Sequence, residues 1–262
     1  MDSITASGRS VKFKIKRFDG ENSKFDIFDI KPKPNMSILE ALFQIQDEND
    51  STLAFRYSCR GAVCGSCAML INRKYRLACR TQASEVVGEK VFTISAYGPL
   101  AKPEFKIGEE ILIEPLPNLP LIKDLVVDMG PFFKHYGSVE PWFDIENTDK
   151  GENPMSEKDT RKVDRYAACI LCGLCYGVCP VSARDKDYLG PAALAKAWRF
   201  YADPRYRDRK EMLTRVDITK GVWACDRVYR CVEVCPKQVP PTNAIIEFSK
   251  KIIWQKIKNI MR

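Results

Sequence analysis

The sequence predicts an α+β protein of two domains, with a β-sheet in residues 1–112 and an all-α part in residues 113–262. The eleven cysteines fall into two blocks, 59–79 and 169–235, and the stretch between the blocks contains none. Apolar residues alternate near the N-terminus and recur at helical spacing near the C-terminus. A chain of 262 residues is long enough for two ordinary domains, so each block of cysteines is expected to have its own core.

The first domain begins with the pattern of a β-hairpin followed by a helix. Apolar residues alternate with lysines over residues 11–16, Asp19-Gly20 predicts a turn, and residues 25–30 predict a returning strand. Ser37 and Glu40 predict a capping box that opens a helix ending near residue 48. Three apolar residues of that helix are predicted to point inward: Leu39, Leu42 and Phe43.

The second domain has helical patterns. Residues 137–160 are polar and turn-rich, which predicts an exposed excursion. Gly190-Pro191 precedes a predicted helix from Ala192 to Ala202, with proline in its first turn. A last helix is predicted from about Pro241 to the end, and its apolar residues recur at helical spacing: Ile245, Phe248, Ile252 and Ile253. We interpret it as a core helix with a lysine-rich solvated face; alternatively, its basic end lies near an anionic membrane surface or a membrane partner.

The thiols are expected to be metal ligands rather than disulfides. The N-terminus has neither the basic start nor the apolar stretch of a secretory signal, and no apolar run approaches the ~18–20 residues that cross a bilayer. A cytoplasmic location is therefore expected, and cytoplasmic thiols stay reduced.

The first block, Cys59-x4-Cys64-x2-Cys67-x11-Cys79, has the spacing that opens a plant-type [2Fe–2S] site. Small residues between the cysteines let the backbone wrap around an inorganic core, and Arg60 and Arg80 can offset its negative charge. A four-cysteine zinc site would instead favour two separate C-x2-C pairs. Strand, hairpin, helix and cysteine loop follow each other in the order expected of a β-grasp ferredoxin domain.

The second block contains two bacterial-ferredoxin runs, and one of them lacks a cysteine. The first run ends in Cys179-Pro180 and the second in Cys235-Pro236, but Val228 occupies a ligand position of the second. The last cysteine of each run binds the other run's cluster in two-cluster ferredoxins. The spacing therefore predicts a [4Fe–4S] cluster on Cys169, Cys172, Cys175 and Cys235, and a [3Fe–4S] cluster on Cys179, Cys225 and Cys231.

Three clusters also affect the interpretation of the net charge of +8. Bound clusters are anionic, so much of the basic excess balances cofactors, and no nucleic-acid partner is expected.

With these motifs in place, the chain resembles the iron–sulfur subunit of succinate dehydrogenase and fumarate reductase complexes over nearly its whole length. Val228 fits the resemblance, because that family has an apolar residue there. The other stretches that carry it are 56–61, Cys64-Gly65-Ser66-Cys67, 77–81, Pro115-Leu116-Pro117, 122–129 and Gly190-Pro191-Ala192.

The resemblance implies the function. In that family a flavoprotein subunit interconverts succinate and fumarate on FAD. The iron–sulfur subunit then relays single electrons between the flavin and a quinone bound at a membrane anchor. For this chain, the resemblance implies a flavoprotein partner, a membrane anchor and a quinone at their interface. It also implies that the chain has no catalytic residue of its own and lies peripherally at the cytoplasmic face of the cell membrane.

The chain departs from the family at two positions near the quinone. Some members have a tryptophan and a histidine where this chain has Arg184 and Asp226. The only histidine, His135, is interpreted as an ordinary structural or surface residue. The quinone-proximal residues that the resemblance implies are Pro180, Arg184, Asp226 and Val228.

Two other functions compete with this one. The first is the iron–sulfur subunit of a related flavoenzyme with a different donor, such as a thiol-driven fumarate reductase, in which extra cysteine-rich sequence is expected. The second is a zinc-stabilised binding module whose basic patches contact nucleic acid.

Overall fold

The computed structural model describes residues 10–88, 110–143 and 151–261. The chain forms two compact units, Met1–Asp128 and Met129–Arg262. The domain boundary predicted between residues 112 and 113 requires correction, because it falls inside a strand of the sheet, Glu110–Glu114. Residues 1–9, in which no secretory signal was found, and residues 144–150 of the predicted polar excursion lie outside the described residues.

The first unit contains a five-stranded mixed sheet. Its strands are β1 (Val11–Phe18), β2 (Ser23–Ile30), β3 (Ala68–Ile71), β4 (Lys74–Leu77) and β5 (Glu110–Glu114), in the spatial order β2-β1-β5-β3-β4. The predicted hairpin is confirmed, because β1 and β2 pair antiparallel from Val11 opposite Ile30 to Phe18 opposite Ser23. The last strand pairs in parallel with β1 and so joins the hairpin to the rest of the sheet.

The predicted helix covers the buried face of this sheet. Val11, Phe13 and Ile15 of β1 are fully buried, as their alternation with lysines predicts. Helix α1 (Ile38–Glu48) begins at Ser37 with the predicted capping box. Of the three residues predicted to point inward, Leu39 and Leu42 are buried. The third, Phe43, is only half-buried and packs edge-on against the Phe55 and Tyr57 rings.

A buried ion-pair network joins distant segments of the first unit. The Arg17 guanidinium donates to Asp124 at 2.9 Å and to Asp50 at 2.6 Å. The other Asp124 oxygen accepts from the backbone N–H of Ala54. Arg17 and Asp124 are only 7% and 2% exposed. The network therefore joins β1 to two loops inside the protein.

The remaining short elements of the first unit are α2 (Ala83–Val86), β6 (Leu121–Lys123), β7 (Val126–Val127) and a 3-10 turn at Ala78–Arg80.

The described part of the second unit is helical. Its core lies between two helices, where Leu194 and Ala197 pack in one cluster with Ile245 and Phe248. The helices are α3 (Gly130–Ser138), α4 (Glu157–Ala167), α5 (Leu174–Gly177), α6 (Pro180–Arg184), α7 (Gly190–Ala202), α8 (Arg209–Val216), α9 (Arg230–Glu233) and α10 (Pro241–Ile260), with a 3-10 turn at Val222–Ala224. Within the described ranges, none of the helices combines the length and the apolar character needed to cross a membrane.

Both helices predicted in the second unit are confirmed. Helix α7 carries Pro191 in its first turn, and Gly190 has φ +86°. A Cβ at Gly190 would lie 3.0 Å from the Tyr176 ring, which explains the glycine. Helix α10 buries Ile245, Phe248 and Ile252, but Ile253 is 48% exposed. Ile253 lies about 100° around the helix from Ile252 and so leaves the core face.

Candidate metal centres

The first cysteine loop directs backbone N–H groups at sulfur. Cys59 Sγ accepts hydrogen bonds from the N–H groups of Val63 and Cys64 at 3.2 Å and of Gly61 at 3.4 Å. This inward turning of the backbone requires left-handed conformations, which occur at Arg60 (φ 55°), Ala62 (φ 57°) and Gly65 (φ 73°). A loop of small residues can adopt these conformations and still leave room for a metal–sulfur core.

The other thiols of this loop lie in contrasting environments. Burial opposes ionisation of Cys64, but hydrogen bonds from the backbone of Cys59 and from Ser66 outweigh it and lower the thiol pKa to about 6. Burial, together with the neighbouring Cys79 thiol, raises the pKa of Cys67 to about 12. Cys67 directly precedes β3 and Cys79 lies in the 3-10 turn after β4, so paired strands place these two thiols together.

The two arginines that flank this loop differ in their contacts. The Arg60 guanidinium lies 4.8 Å from the centre of the Phe43 ring and 5.6 Å from that of Tyr57. The aromatic contacts fix a positive charge next to Cys59. Arg80 is exposed and lines a surface pocket together with Cys79.

A cavity in the second unit is lined by four thiols from both ferredoxin-type runs: Cys169, Cys172, Cys175 and Cys235. Burial raises the pKa of Cys172 to about 11 and that of Cys175 well above its ordinary value. Val239 N–H donates to Cys235 Sγ at 3.3 Å. Burial lowers the pKa of Lys196, and the adjacent Cys169 opposes this shift, so a cation from α7 lies beside the thiols.

A second cavity is lined by three thiols, Cys179, Cys225 and Cys231, and Val228 also lines it. Burial raises the pKa of Cys231 to about 11, and its Sγ lies 3.1 Å from Thr242 Oγ1. Tyr188 lines the same cavity and is fully buried, with its side chain next to Cys225. Its hydroxyl has no hydrogen-bond partner of normal geometry among the described residues, which suits a cavity that receives a sulfur-rich group.

The two runs repeat the same backbone conformation. In the first run, Leu171 (φ 53°) and Gly173 (φ 78°) flank Cys172 in the left-handed region. In the second run, Arg227 (φ 55°) and Tyr229 (φ 60°) flank Val228 in the same way. A four-residue helix then follows in each run, α5 and α9. Val228 therefore occupies the backbone position of Cys172, and the runs differ there only in the side chain.

The two residues that depart from the family pattern pair with each other. Arg184 Nη1 and Nη2 donate to the two carboxylate oxygens of Asp226 at 2.7 and 2.8 Å, a bidentate ion pair. Hydrogen bonding from Arg184 lowers the pKa of Asp226. Arg184 ends the helix that follows Cys179, and Asp226 follows Cys225, so the pair joins the two segments that supply the three thiols. Lys220 and Asp185 form a second ion pair between the same segments.

All the cysteines predicted as ligands lie in the described part of the chain. Within that part, no three His, Cys, Asp or Glu side chains converge on a point that could hold one metal ion. This absence is compatible with a cluster, because a cluster distributes its thiolates over several iron atoms.

His135 packs near the Tyr176 ring, and its Nε2 lies 2.8 Å from the carbonyl oxygen of Lys186. Sequence reasoning missed Tyr188, and only its nearness to Gly190-Pro191 could have drawn attention to it.

Comparison with known families agrees with both cysteine blocks. Residues 12–134 match the family described as a 2Fe-2S iron-sulfur cluster binding domain. Residues 165–239 match the family described as a 4Fe-4S dicluster domain. The chain therefore contains a 2Fe-2S cluster binding domain and a 4Fe-4S dicluster domain.

Whole-chain relatives give the same result. The fumarate reductase iron-sulfur subunit of Escherichia coli O6:H1 is 31% identical over 97% of this chain and 99% of that protein. The corresponding subunit of Mycobacterium tuberculosis is 34% identical over 90% and 89%. A chain of the Mycobacterium smegmatis Sdh1 complex in the apo form superposes with a TM-score of 0.80 at 25% identity, over 96% and 98% of the two chains. These matches do not favour the thiol-driven alternative. The chain belongs to the family of iron–sulfur electron-transfer subunits of succinate dehydrogenase and fumarate reductase complexes.

Proposed function

We propose that this chain relays single electrons between the FAD of a flavoprotein subunit and a quinone at a membrane anchor, through three iron–sulfur clusters held by its eleven cysteines. The observation that carries this proposal is the pair of thiol-lined cavities in the second unit, each formed by cysteines of both runs. The clusters, when bound, take up and release one electron at a time.

In the first unit, the [2Fe–2S] ligands are Cys59, Cys64, Cys67 and Cys79. The sheet and α1 form a β-grasp fold of the plant-ferredoxin type, which holds the cysteine loop at one end of the sheet. The N–H groups directed at Cys59 stabilise negative charge on sulfur, and Arg60 adds a fixed cation.

In the second unit, which has a bacterial-ferredoxin-like helical fold, the four-thiol cavity holds the [4Fe–4S] cluster on Cys169, Cys172, Cys175 and Cys235. The three-thiol cavity holds a [3Fe–4S] cluster on Cys179, Cys225 and Cys231. Val228 supplies no lone pair that could bind iron, so this cavity would offer three thiolate ligands where the other offers four. The buried Tyr188 hydroxyl is available to donate to a sulfur atom in that cavity.

The three-thiol cavity is the end of the relay that meets quinone and the membrane anchor, at the cytoplasmic face of the membrane. Pro180, Asp226 and Val228 line this cavity. Arg184 holds the Asp226 carboxylate in place and so presents a charge pair at the same surface. Val228 is 50% exposed and offers an apolar contact beside that pair. The chain contributes no catalytic residue, because the dicarboxylate chemistry belongs to the flavoprotein partner.

Replacing Cys172 with alanine in the assembled complex is expected to interrupt the relay. Electron transfer between succinate and quinone should fall at least about tenfold, because the middle cluster loses one of its four ligands. Reduction of a soluble dye that takes electrons directly from the flavoprotein should persist.

Both activities are measured on the same purified complex, whose assembly is checked by co-purification of its subunits. Thr214→Ala, on the outer side of α8, serves as the control and should leave both activities unchanged. Full quinone-linked activity in the Cys172→Ala complex would contradict the proposed relay.

A further inference from the structure

The last two turns of α10 extend beyond the core of the second unit. Ile252 is the last buried residue of the helix, and no residue from Ile253 to Met261 is buried. At 1.5 Å per residue, the eight residues Ile253–Ile260 extend about 12 Å past the core. Packing within the second unit therefore does not account for their apolar side chains.

Five exposed apolar residues form a stripe along this extension. Successive members are one, three, three and one residues apart, which places them on one side of a helix. The stripe faces away from the core side of α10 that carries Phe248 and Ile252. We name these residues the C-terminal stripe: Ile253 (48% exposed), Trp254 (62%), Ile257 (50%), Ile260 (84%) and Met261 (82%). A contiguous exposed patch of large apolar residues marks an interaction surface.

Lysines flank the stripe. Residues 250–261 contain four lysines and no acidic residue: Lys250, Lys251, Lys256 and Lys258. Lys258 Nζ lies 4.7 Å from the centre of the Trp254 ring, so one cation lies directly beside the stripe. Lys256 pairs with Asp217 at 2.6 Å, while Lys250 pairs with Glu247.

This composition distinguishes a lipid surface from a protein partner. The centres of protein interfaces are depleted in lysine, because burying an ammonium group is costly. Helices that lie in a membrane interface instead combine tryptophan and isoleucine on one face with lysines beside it. Their lysines extend toward the phosphate groups while the apolar face enters the headgroup–acyl boundary.

We infer that the end of α10 binds the surface of a membrane containing anionic phospholipids, with the C-terminal stripe in the lipid and the flanking lysines against headgroup phosphates. The same helix lines the three-thiol cavity through Thr242 and Ile245. Ile245 and Ile257 are about 18 Å apart along the helix. The lipid contact therefore fixes how far that cavity lies from the membrane surface.

The inference is tested by co-sedimentation of the full chain, purified anaerobically with its clusters, with lipid vesicles. One set contains phosphatidylcholine alone and the other contains about one third phosphatidylglycerol. The chain is expected to sediment with the anionic vesicles only, and salt should release it. Ile257→Glu should lower binding at least about tenfold. The double variant Lys251→Gln, Lys258→Gln should also lower it by about tenfold.

Ile122→Glu is the matched control, because Ile122 is also 50% exposed but lies in β6 of the other unit. It should bind like the unmodified chain. The absence of vesicle binding, equal binding to neutral vesicles, or equal binding of the Ile257 and Ile122 variants would each overturn the inference. So would a chain that ignores vesicles but loses an anchor subunit on Ile257→Glu, since the stripe would then bind protein. The cluster spectra of these variants are recorded separately, so a change in vesicle binding can be told apart from a loss of clusters.

Discussion

Replacing Val228 with cysteine is expected to convert the three-thiolate centre into a four-thiolate centre. Oxidised protein should lose most of its [3Fe–4S] electron paramagnetic resonance signal and gain about one iron atom per chain. The physical reason is the repeated backbone of the two runs, in which Val228 stands where Cys172 stands and borders the same cavity as the three thiols. A thiol at Val228 is therefore expected to reach the corner that lacks a ligand.

Val232→Cys serves as the control, because it adds a thiol to α9 outside the ligand register. Its spectrum should match that of the unmodified protein. If Val228→Cys leaves the oxidised signal and the iron content unchanged, Val228 is not the missing ligand position, and the assignment of Cys179, Cys225 and Cys231 to one cluster loses its support.

Replacing Arg17 with methionine is expected to destabilise the first unit by about 3–5 kcal/mol, because it leaves the buried Asp124 carboxylate without its cation. Asp124 is 2% exposed and accepts from Arg17 at 2.9 Å. Urea unfolding of the anaerobic protein, followed by amide hydrogen exchange of peptides from β1, measures the change in the free energy of unfolding of this unit.

Lys24→Met is the matched control, because Lys24 pairs with Asp26, a carboxylate that Arg17 also contacts, but on the surface. It should cost less than about 1 kcal/mol. Equal changes in the free energy of unfolding for the two substitutions would show that burial of the network adds nothing to the stability of the first unit.

The same network predicts sensitivity to acid. Hydrogen bonding from Arg17 and Thr52 holds the pKa of Asp50 well below its usual range. A carboxylate with a lowered pKa stabilises the folded state fully above its unfolded pKa of about 4, and this stabilisation is lost as the pH falls through the folded pKa. In the Arg17→Met variant, the free energy of unfolding should therefore fall less on acidification below about pH 4 than it does in the unmodified chain.

Sequence periodicity predicted the elements whose partners are close in the chain. The alternation in β1, the capping box at Ser37 and the proline of α7 each depend on residues within one turn or one hairpin. Cysteine spacing also predicted the two groups of thiols that line the two cavities, because two runs of the bacterial-ferredoxin type exchange their last cysteine. Their roles as ligands of particular clusters stay predictions.

Contacts between distant segments could not be predicted in this way. Arg17 and Asp124 are 107 residues apart, and nothing local to either marks them as partners. Arg184 and Asp226 stood out singly as departures from the family, but only the fold shows that they pair across 42 residues. The domain boundary was wrong for the same reason, because β5 is held by parallel pairing with a strand about a hundred residues earlier.

The most direct test of the three-cluster assignment is electron paramagnetic resonance of the anaerobically purified chain, combined with iron and sulfide analysis. The assignment predicts about nine iron atoms per chain, one [3Fe–4S] signal in the oxidised protein, and two further signals that appear only on reduction. A colourless zinc protein, or an oxidised protein without a [3Fe–4S] signal and with a second four-iron centre, would contradict it.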